Sequence, residues 1–297
     1  MRSEFDPRFR GLELWGDDEI LTAIVDGQAA ALRAVRSAIP SIQSAAAAAA
    51  LRLKSGSGRL VYAGAGTPAR LAVQDGVELM PTYGWPRERL AFLIAGGEKA
   101  LVRSIENAED DAPAAARDIK RNLTRPTAQD VCIAVSASGR TPYTVEVCRL
   151  AKAAGALTIG ISSAPNSALL QASDHAIFLD SGPEPVGGST RMNAGTAQKA
   201  ALNAISTLVM IRLGHVYDGF MVDVEVGNEK LRERARRMVR EITGCRAEEA
   251  GRALDAAGGH AKLAVLVAKG LSREAAAGLL SQHGGDLRGA LQTLAAV

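Results

Sequence analysis

The placement of apolar residues along the chain predicts strands alternating with helices. Short apolar runs at Leu60-Val61-Tyr62-Ala63, Leu90 to Ile94, Val131 to Val135, Leu157 to Ile161 and Ala176 to Leu179 show no polar face, as strands covered on both sides do. Helical stretches or loops separate them, so a three-layer α/β/α sandwich around a central parallel sheet is expected. From Asp17 to about Ser55, Ile20, Ile24, Ala31 and Val35 fall on one helical face, and Pro40 divides the region into two helices. The alanines Ala45 to Ala50 read as packed helix, because alanine has the best helix propensity. Further helices are expected from Pro68 to about Met80, from about Thr190 to Leu213, and from Asn228 to Ile242. Beyond Cys245, segments divided by Gly258-Gly259, Gly270 and Gly284-Gly285 predict a compact module of three or four short helices reaching Val297. The expected division is N-terminal helices over 1–55, a ligand-binding α/β domain over 56–243 and the small helical module over 244–297.

Composition narrows the class. The 297 residues are 47% hydrophobic and 23% charged, the balance of a globular protein rather than a disordered or fibrous one. Aromatics are only 4% while glycines number 30, so the core is built from aliphatic side chains and close backbone contacts. Lys plus Arg number 35 against 32 Asp plus Glu, and a net charge of +3 on this length does not indicate nucleic acid. Cys132, Cys148 and Cys245 lack the paired spacing of a zinc or redox site, which fits a reducing compartment. The first ten residues are charged, and no stretch reaches the ~18 apolar residues of a membrane span, so a cytoplasmic protein is expected.

Three polar turns follow strands. Gly64-Ala65-Gly66-Thr67-Pro68-Ala69-Arg70 fits G-x-G-x-x-A, so a dinucleotide site must be weighed. The next strand ends in Ile94-Ala95-Gly96-Gly97, without the acid that would bind ribose, which suits a phosphate or sugar hydroxyl better. Thr67 is placed as N-cap and Pro68 as first helical residue, and a tight turn without ligand is the plain alternative. Ser136-Ala137-Ser138-Gly139-Arg140-Thr141-Pro142 is more specific: hydroxyls and amides converge where a helix exposes unpaired N–H groups. No G-x-x-x-x-G-K pattern is present, so a phosphorylated small molecule is a better guest than a nucleoside triphosphate. Gly182-Pro183-Glu184 and Gly187-Gly188-Ser189-Thr190-Arg191 lead into the long helix bearing Gln198 and Lys199. In a parallel sheet such turns share one rim and surround one crevice.

Candidate acids are Glu78, amid apolar neighbours whose burial would raise its pKa, and the group Glu106, Glu109, Asp110 and Asp111 before a helix. For the latter the ordinary reading is capping, with Asp111 as the cap. The four histidines lack metal-ligand spacing, and the Cys132 thiol is expected to point into the core.

The turns together resemble the sugar isomerase (SIS) domain, and the whole chain resembles the N-acetylmuramic acid 6-phosphate etherase family. The likeness runs through Gly64-Ala65-Gly66-Thr67, Ile94-Ala95-Gly96-Gly97-Glu98, Ala108-Glu109-Asp110-Asp111 and Ser138-Gly139-Arg140-Thr141-Pro142-Tyr143. It continues through Gly182-Pro183-Glu184, Gly187-Gly188-Ser189-Thr190-Arg191, Ala194-Gly195-Thr196-Ala197-Gln198-Lys199 and Asn228-Glu229-Lys230-Leu231 to a tail like a ubiquitin-associated module. The resemblance implies removal of D-lactate from carbon 3 of a muramyl phosphate, with Glu78 as proton donor and Glu109 as the second catalytic glutamate, the base. It implies substrate binding by Gly66, Thr67, Ser136, Ser138, Gly139, Arg140, Thr141, Ser189, Thr190 and Lys199. It further implies no metal or organic cofactor, and a homodimer with both subunits near the cleft.

Three departures stand out. Pro68-Ala69 replace the family's Ser-Gly, Gly76-Val77-Glu78-Leu79-Met80-Pro81 replaces Ala-Ser-Glu-Cys-Pro-Pro, and Asn193 replaces a lysine, which implies a lost positive charge near the phosphate crevice. A sugar-phosphate-sensing regulator like the glucokinase regulatory protein and a sugar-phosphate isomerase are the competing readings. The first has two SIS domains where this chain has room for one, and the second has no need of an acid for a leaving group.

Overall fold

A computed structural model describes residues 6–54, 56–123, 126–224, 226 and 228–296, so the expected boundary residues Ser55 and Val297, and residues 1–5 of the N-terminal segment, lie outside the described residues. The chain forms two compact units, one of residues 1–76 and 88–206, the other of residues 77–87 and 207–297.

The first unit opens with α1 (Asp17–Ser37) and α2 (Ile39–Leu53), divided as expected where Pro40 enters the first turn of α2. Then follow β1 (Leu60–Gly64), α3 (Gly66–Val77, its last residue in the second unit), β2 (Leu90–Ile94) and α5 (Ala112–Leu123), with α4 (Leu79–Tyr83) between α3 and β2 belonging to the second unit. The remaining elements are β3 (Val131–Val135), α6 (Pro142–Ala153), β4 (Leu157–Ser162), α7 (Ala168–Ala172), β5 (His175–Phe178) and α8 (Asn193–Arg212), of which residues to Ser206 belong here. The five strands are all parallel, in the order β2-β1-β3-β4-β5.

Both faces of the sheet are covered. Val61, Ala63, Cys132 and Ala134 point to one side, where they form a core with Ala115, Ile119, Val147 and Cys148 of α5 and α6. The alternate residues Leu60, Tyr62, Ile133 and Val135 are equally buried on the other side. There α2 lies on β3, β4 and β5. On the same side Tyr62 donates to Asp75 Oδ2 of α3 at 2.8 Å, while Asp75 Oδ1 accepts from Asn203 Nδ2 at 2.6 Å and Ser206 Oγ at 3.0 Å, both on α8. This buried carboxylate thus ties the sheet to two helices with both of its oxygens engaged. Burial, then the neighbouring Asp75 charge, pushes the Tyr62 phenol well above its ordinary range.

The second unit contains a hairpin, β6 (Val216–Tyr217) and β7 (Phe220–Met221), then α9 (Glu229–Thr243), α10 (Ala247–Ala256), α11 (Ala261–Ala268), α12 (Arg273–Gln282) and α13 (Leu287–Ala295). Four short helices follow α9, separated at the expected glycines. Asp218 and Gly219 both have positive φ, 47° and 77°, the requirement of a two-residue hairpin turn whose twist matches its strands. The core joins Val222 and Val224 to Met238, Val239, Leu254, Leu266 and Leu287. Within it, buried Lys262 donates to Asp223 Oδ2 at 2.5 Å and to the Gly285 carbonyl at 2.9 Å, and His215 Nδ1 lies 2.8 Å from the same carboxylate oxygen. Among the described residues, no helix is long and apolar enough to cross a membrane.

Candidate functional site

The order of the strands locates a crevice. From β1 the chain moves outward to β2, then returns to place β3 on the other side of β1 and continues to β4 and β5. At such a reversal the loops leaving neighbouring strands diverge, and ligands of α/β sheets bind beyond the carboxyl ends there. Gly64 of β1 pairs with Val135 of β3, so Gly66-Thr67 and Ser136 to Thr141 leave the sheet side by side at this point.

The serine turn is internally bonded. Ser136 is buried, and its Oγ lies 3.0 Å from Thr141 Oγ1 and 3.5 Å from Ser138 Oγ while accepting from the Gly139 N–H at 3.0 Å. The Arg140 N–H donates to Ser138 Oγ at 3.2 Å. Thr141 takes the N-cap position before Pro142, but its hydroxyl faces Ser136 and caps no amide. The expected convergence of free amides is therefore corrected: those of Gly139 and Arg140 are engaged, and the hydroxyls of Ser138 and Thr141 are the exposed or half-exposed groups. Gly139 has φ +61°, and a Cβ there would run into Ser167 and come within 2.5 Å of Ser162 Oγ. The turn thus rests on a serine-rich floor, in which Ser163 Oγ and Ser167 Oγ are buried without a hydrogen-bond partner.

Glu109 is brought to this turn. Its carbonyl accepts from the Tyr143 N–H at 3.0 Å, in the first turn of α6, while its side chain is exposed. The close approach of Ile105 and Ala108 to Gly96, where a Cβ would sit 3.0 Å and 3.2 Å from their side chains, sets the same segment on the loop leaving β2. Asp111 is a cap as expected, accepting from the Ala114 N–H at 3.0 Å.

The first turn differs slightly from expectation. The helix begins at Gly66, so Thr67 lies within its first turn instead of capping it. Arg70 turns away from solvent to donate to the carbonyls of Ala100 and Leu101 at 3.0–3.2 Å.

The third loop departs further. The long helix starts at Asn193, three residues later than expected, and Ser189 and Thr190 lie in the turn before it. Its leading amides are taken: Glu184, which the sequence reading left without a role, accepts from Asn193 N and Ala194 N, both at 2.9 Å. Burial raises the Glu184 pKa, although the two amides and Arg191 pull it the other way. The signal was a carboxylate upstream of an uncapped helix, outside the usual capping window. Asn193 is buried with its amide nitrogen on the Pro183 carbonyl at 2.8 Å, and a Cβ on Gly27 would meet its side chain at 2.7 Å. The Asn193 side chain itself therefore faces α1. Lys199 and Arg140 are exposed.

Glu78 belongs to the second unit. Glu78 lies between α3 and α4 with helical dihedrals, φ −77° and ψ −12°, and is exposed along with Val77 and Met80, so the expected burial does not occur. Burial pushes the Cys132 thiol well above its ordinary range and the Cys148 thiol up to about 11, consistent with core side chains. Among the described residues no group of three or more His, Cys, Asp or Glu side chains is gathered to hold a metal ion.

Comparison with known proteins agrees with this architecture. Residues 42–153 match a family model described as the glucokinase regulatory protein N-terminal SIS domain, and residues 100–208 match the SIS domain model. An N-acetylmuramic acid 6-phosphate etherase of Deinococcus radiodurans is 47% identical over 95% of this chain and 92% of its own length. One from Streptomyces avermitilis is 49% identical over 87% of this chain and 82% of its own, and one from Rubrobacter xylanophilus is 46% identical over 86% and 84%. With the parallel sheet, the serine turn at its reversal and this identity across nearly the whole length, the chain belongs to the N-acetylmuramic acid 6-phosphate etherase family and carries its SIS domain.

Proposed function

We propose that the protein cleaves the D-lactyl ether of N-acetylmuramic acid 6-phosphate, giving N-acetylglucosamine 6-phosphate and D-lactate. The observation that carries the reading is the serine turn at the sheet reversal with Glu109 bonded to the helix that follows it. In the ring-opened sugar the proton on carbon 2 lies next to an aldehyde and is acidic enough for a carboxylate to abstract. The electron pair moves to expel the carbon 3 ether oxygen, which leaves as lactate after receiving a proton. Water then adds to carbon 3 of the unsaturated aldehyde, so the balance is one ether and one water to one alcohol and one hydroxy acid. Glu109 is assigned as base and Glu78 as proton donor, the two roles that an elimination of this kind requires.

The phosphate is assigned to the hydroxyls of Ser136, Ser138 and Thr141 around Gly139 and Arg140. Gly66, Thr67, Ser189, Thr190 and Lys199 complete the binding set. The assignment of residues 1–55, 56–243 and 244–297 as helical N-terminus, SIS domain and small ubiquitin-associated-like module, and a cytoplasmic location, are parts of the same proposal. A homodimer is included too, supported by the face of α1 on which Leu21, Val25 and Leu32 are 61%, 63% and 52% exposed.

The test is D-lactate release from N-acetylmuramic acid 6-phosphate by the purified protein, with the unphosphorylated sugar and the Glu78→Gln variant as controls. Release that requires both phosphate and Glu78 supports the lyase. Binding of the sugar phosphate without lactate release favours the regulatory reading that the match over 42–153 suggests, and isomerised sugar without lactate favours the isomerase.

A further inference from the structure

The loop entering α8 is fastened by its own carboxylate. Glu184 is 6% exposed and bridges the N–H groups of Asn193 and Ala194, while Asn193 Nδ2 reaches back to the Pro183 carbonyl. These bonds close residues 184–194 into a ring at the positive end of the helix, where an external anion would otherwise be drawn. Inside the ring Ser189 N donates to Val186 O, Thr190 N to Gly188 O and Met192 N to Ser189 O, at 2.9, 2.9 and 3.3 Å. The exposed Thr190 and half-exposed Ser189 are held at its far side. The ring abuts the first turn of the crevice: the Thr190 carbonyl and the Thr67 methyl lie 3.5 Å and 3.7 Å from the point where Gly195 would carry a Cβ.

We propose that Glu184 is a positioning residue for sugar-phosphate binding, whose ionised carboxylate clasps the base of the 185–192 loop and fixes Ser189 and Thr190 beside the Gly66-Thr67 turn. This deepens the proposed function and rests on its assignment of Ser189 and Thr190 to the ligand. A carboxylate matches the two converging N–H donors on both oxygens, whereas the glutamine amide of equal size turns an NH2 toward one of them. Burying the charge is costly, and its two charge-assisted bonds offset that cost only while the ring stays closed.

The experiment compares wild type, Glu184→Gln, Thr190→Ala and the double variant in the full-length protein. Three quantities are read: KM and kcat for lactate release, affinity for N-acetylglucosamine 6-phosphate, and the melting temperature. Expected are a KM raised about tenfold or more in Glu184→Gln with kcat changed less than about threefold, a matching loss of product affinity, and a double variant no worse than Glu184→Gln. Unchanged KM and product affinity in a folded Glu184→Gln overturn the proposal, as do effects of the two substitutions that simply multiply. Should Glu184→Gln fail to melt cooperatively, Glu184→Asp, whose carboxylate is one methylene too short to bridge both N–H groups, is read by the same criteria. If wild type releases no lactate, the etherase reading falls, and the role of Glu184 is then decided by the affinity for the sugar phosphate.

Discussion

The Tyr143 N–H donates to the Glu109 carbonyl at 3.0 Å, joining the segment after β2 to the helix after β3. The base assigned to the reaction and the turn assigned to the phosphate are therefore parts of one bonded frame. Because the Glu109 side chain is exposed, replacing it removes chemistry without removing packing. Glu109→Gln is expected to lower kcat by about 10²- to 10⁴-fold, the range for loss of a general base, with an unchanged melting curve. Glu78→Gln is expected to do the same, and near-normal turnover in either variant removes that residue from its role.

Gly139 links stability to binding. Alanine there must adopt φ near +61° and push against Ser162 and Ser167, so Gly139→Ala is expected to cost about 1–3 kcal/mol and to raise KM. Ser138→Ala removes an exposed hydroxyl and is expected to raise KM while leaving stability within about 0.5 kcal/mol. Melting curves beside steady-state kinetics separate the two, and an unchanged KM in Ser138→Ala moves the phosphate elsewhere.

Asp130 sets an acid limit on the fold. Burial works against its charge, but the Arg59 guanidinium at 2.8 Å and the amides of Thr127 and Arg59 outweigh it and hold the carboxyl below the usual range. A depressed folded pKa contributes stability that is complete above the unfolded value of about 3.9 and is lost as pH falls through the folded one. Asp130→Asn is expected to lose about 2 kcal/mol at pH 7 and to show a shallower decline of stability below pH 4 than wild type. Parallel acid titrations of the two proteins by circular dichroism check this, and equal slopes dismiss it.

In the second unit Lys262 is the buried cation between Asp223 and Gly285. Lys262→Met keeps the apolar stem but leaves Asp223 without its ammonium partner, for an expected loss of about 3 kcal/mol. Urea unfolding reads it, and a midpoint shift under about 0.5 kcal/mol would remove the pair as a determinant of stability.

The strands were legible in the chain because buried parallel strands are short, continuous apolar runs, and Leu90 to Ile94 and Val131 to Val135 match the observed limits. Their lateral order was not, since pairing Leu60 with Val131 rather than only with Leu90 depends on contacts far apart in sequence. Glu78 misled for a local reason. Val77, Leu79 and Met80 suggest apolar surroundings, but of these only Leu79 falls on the buried helical face of Ala72, Asp75 and Gly76, and Val77, Glu78 and Met80 fall outside it. Asn193 shows that a position in a motif says nothing of direction, since the helix begins there and its side chain meets Gly27. The hairpin at Asp218-Gly219 was not foreseen, because its flanking strands are only two residues each and carry little periodicity.

The strand order also governs when the proposed ligand site forms. Gly66-Thr67 and Ser136 to Thr141 become neighbours only through the pairing of β1 with β3, after the intervening β2 and α5 have been looped out. Such non-local pairing is slow to form because the entropy of closing the loop is lost before any contact repays it. A ligand that binds at these two turns, as proposed, therefore has nothing to bind in an early, locally ordered chain, and would stabilise only molecules whose sheet is already assembled.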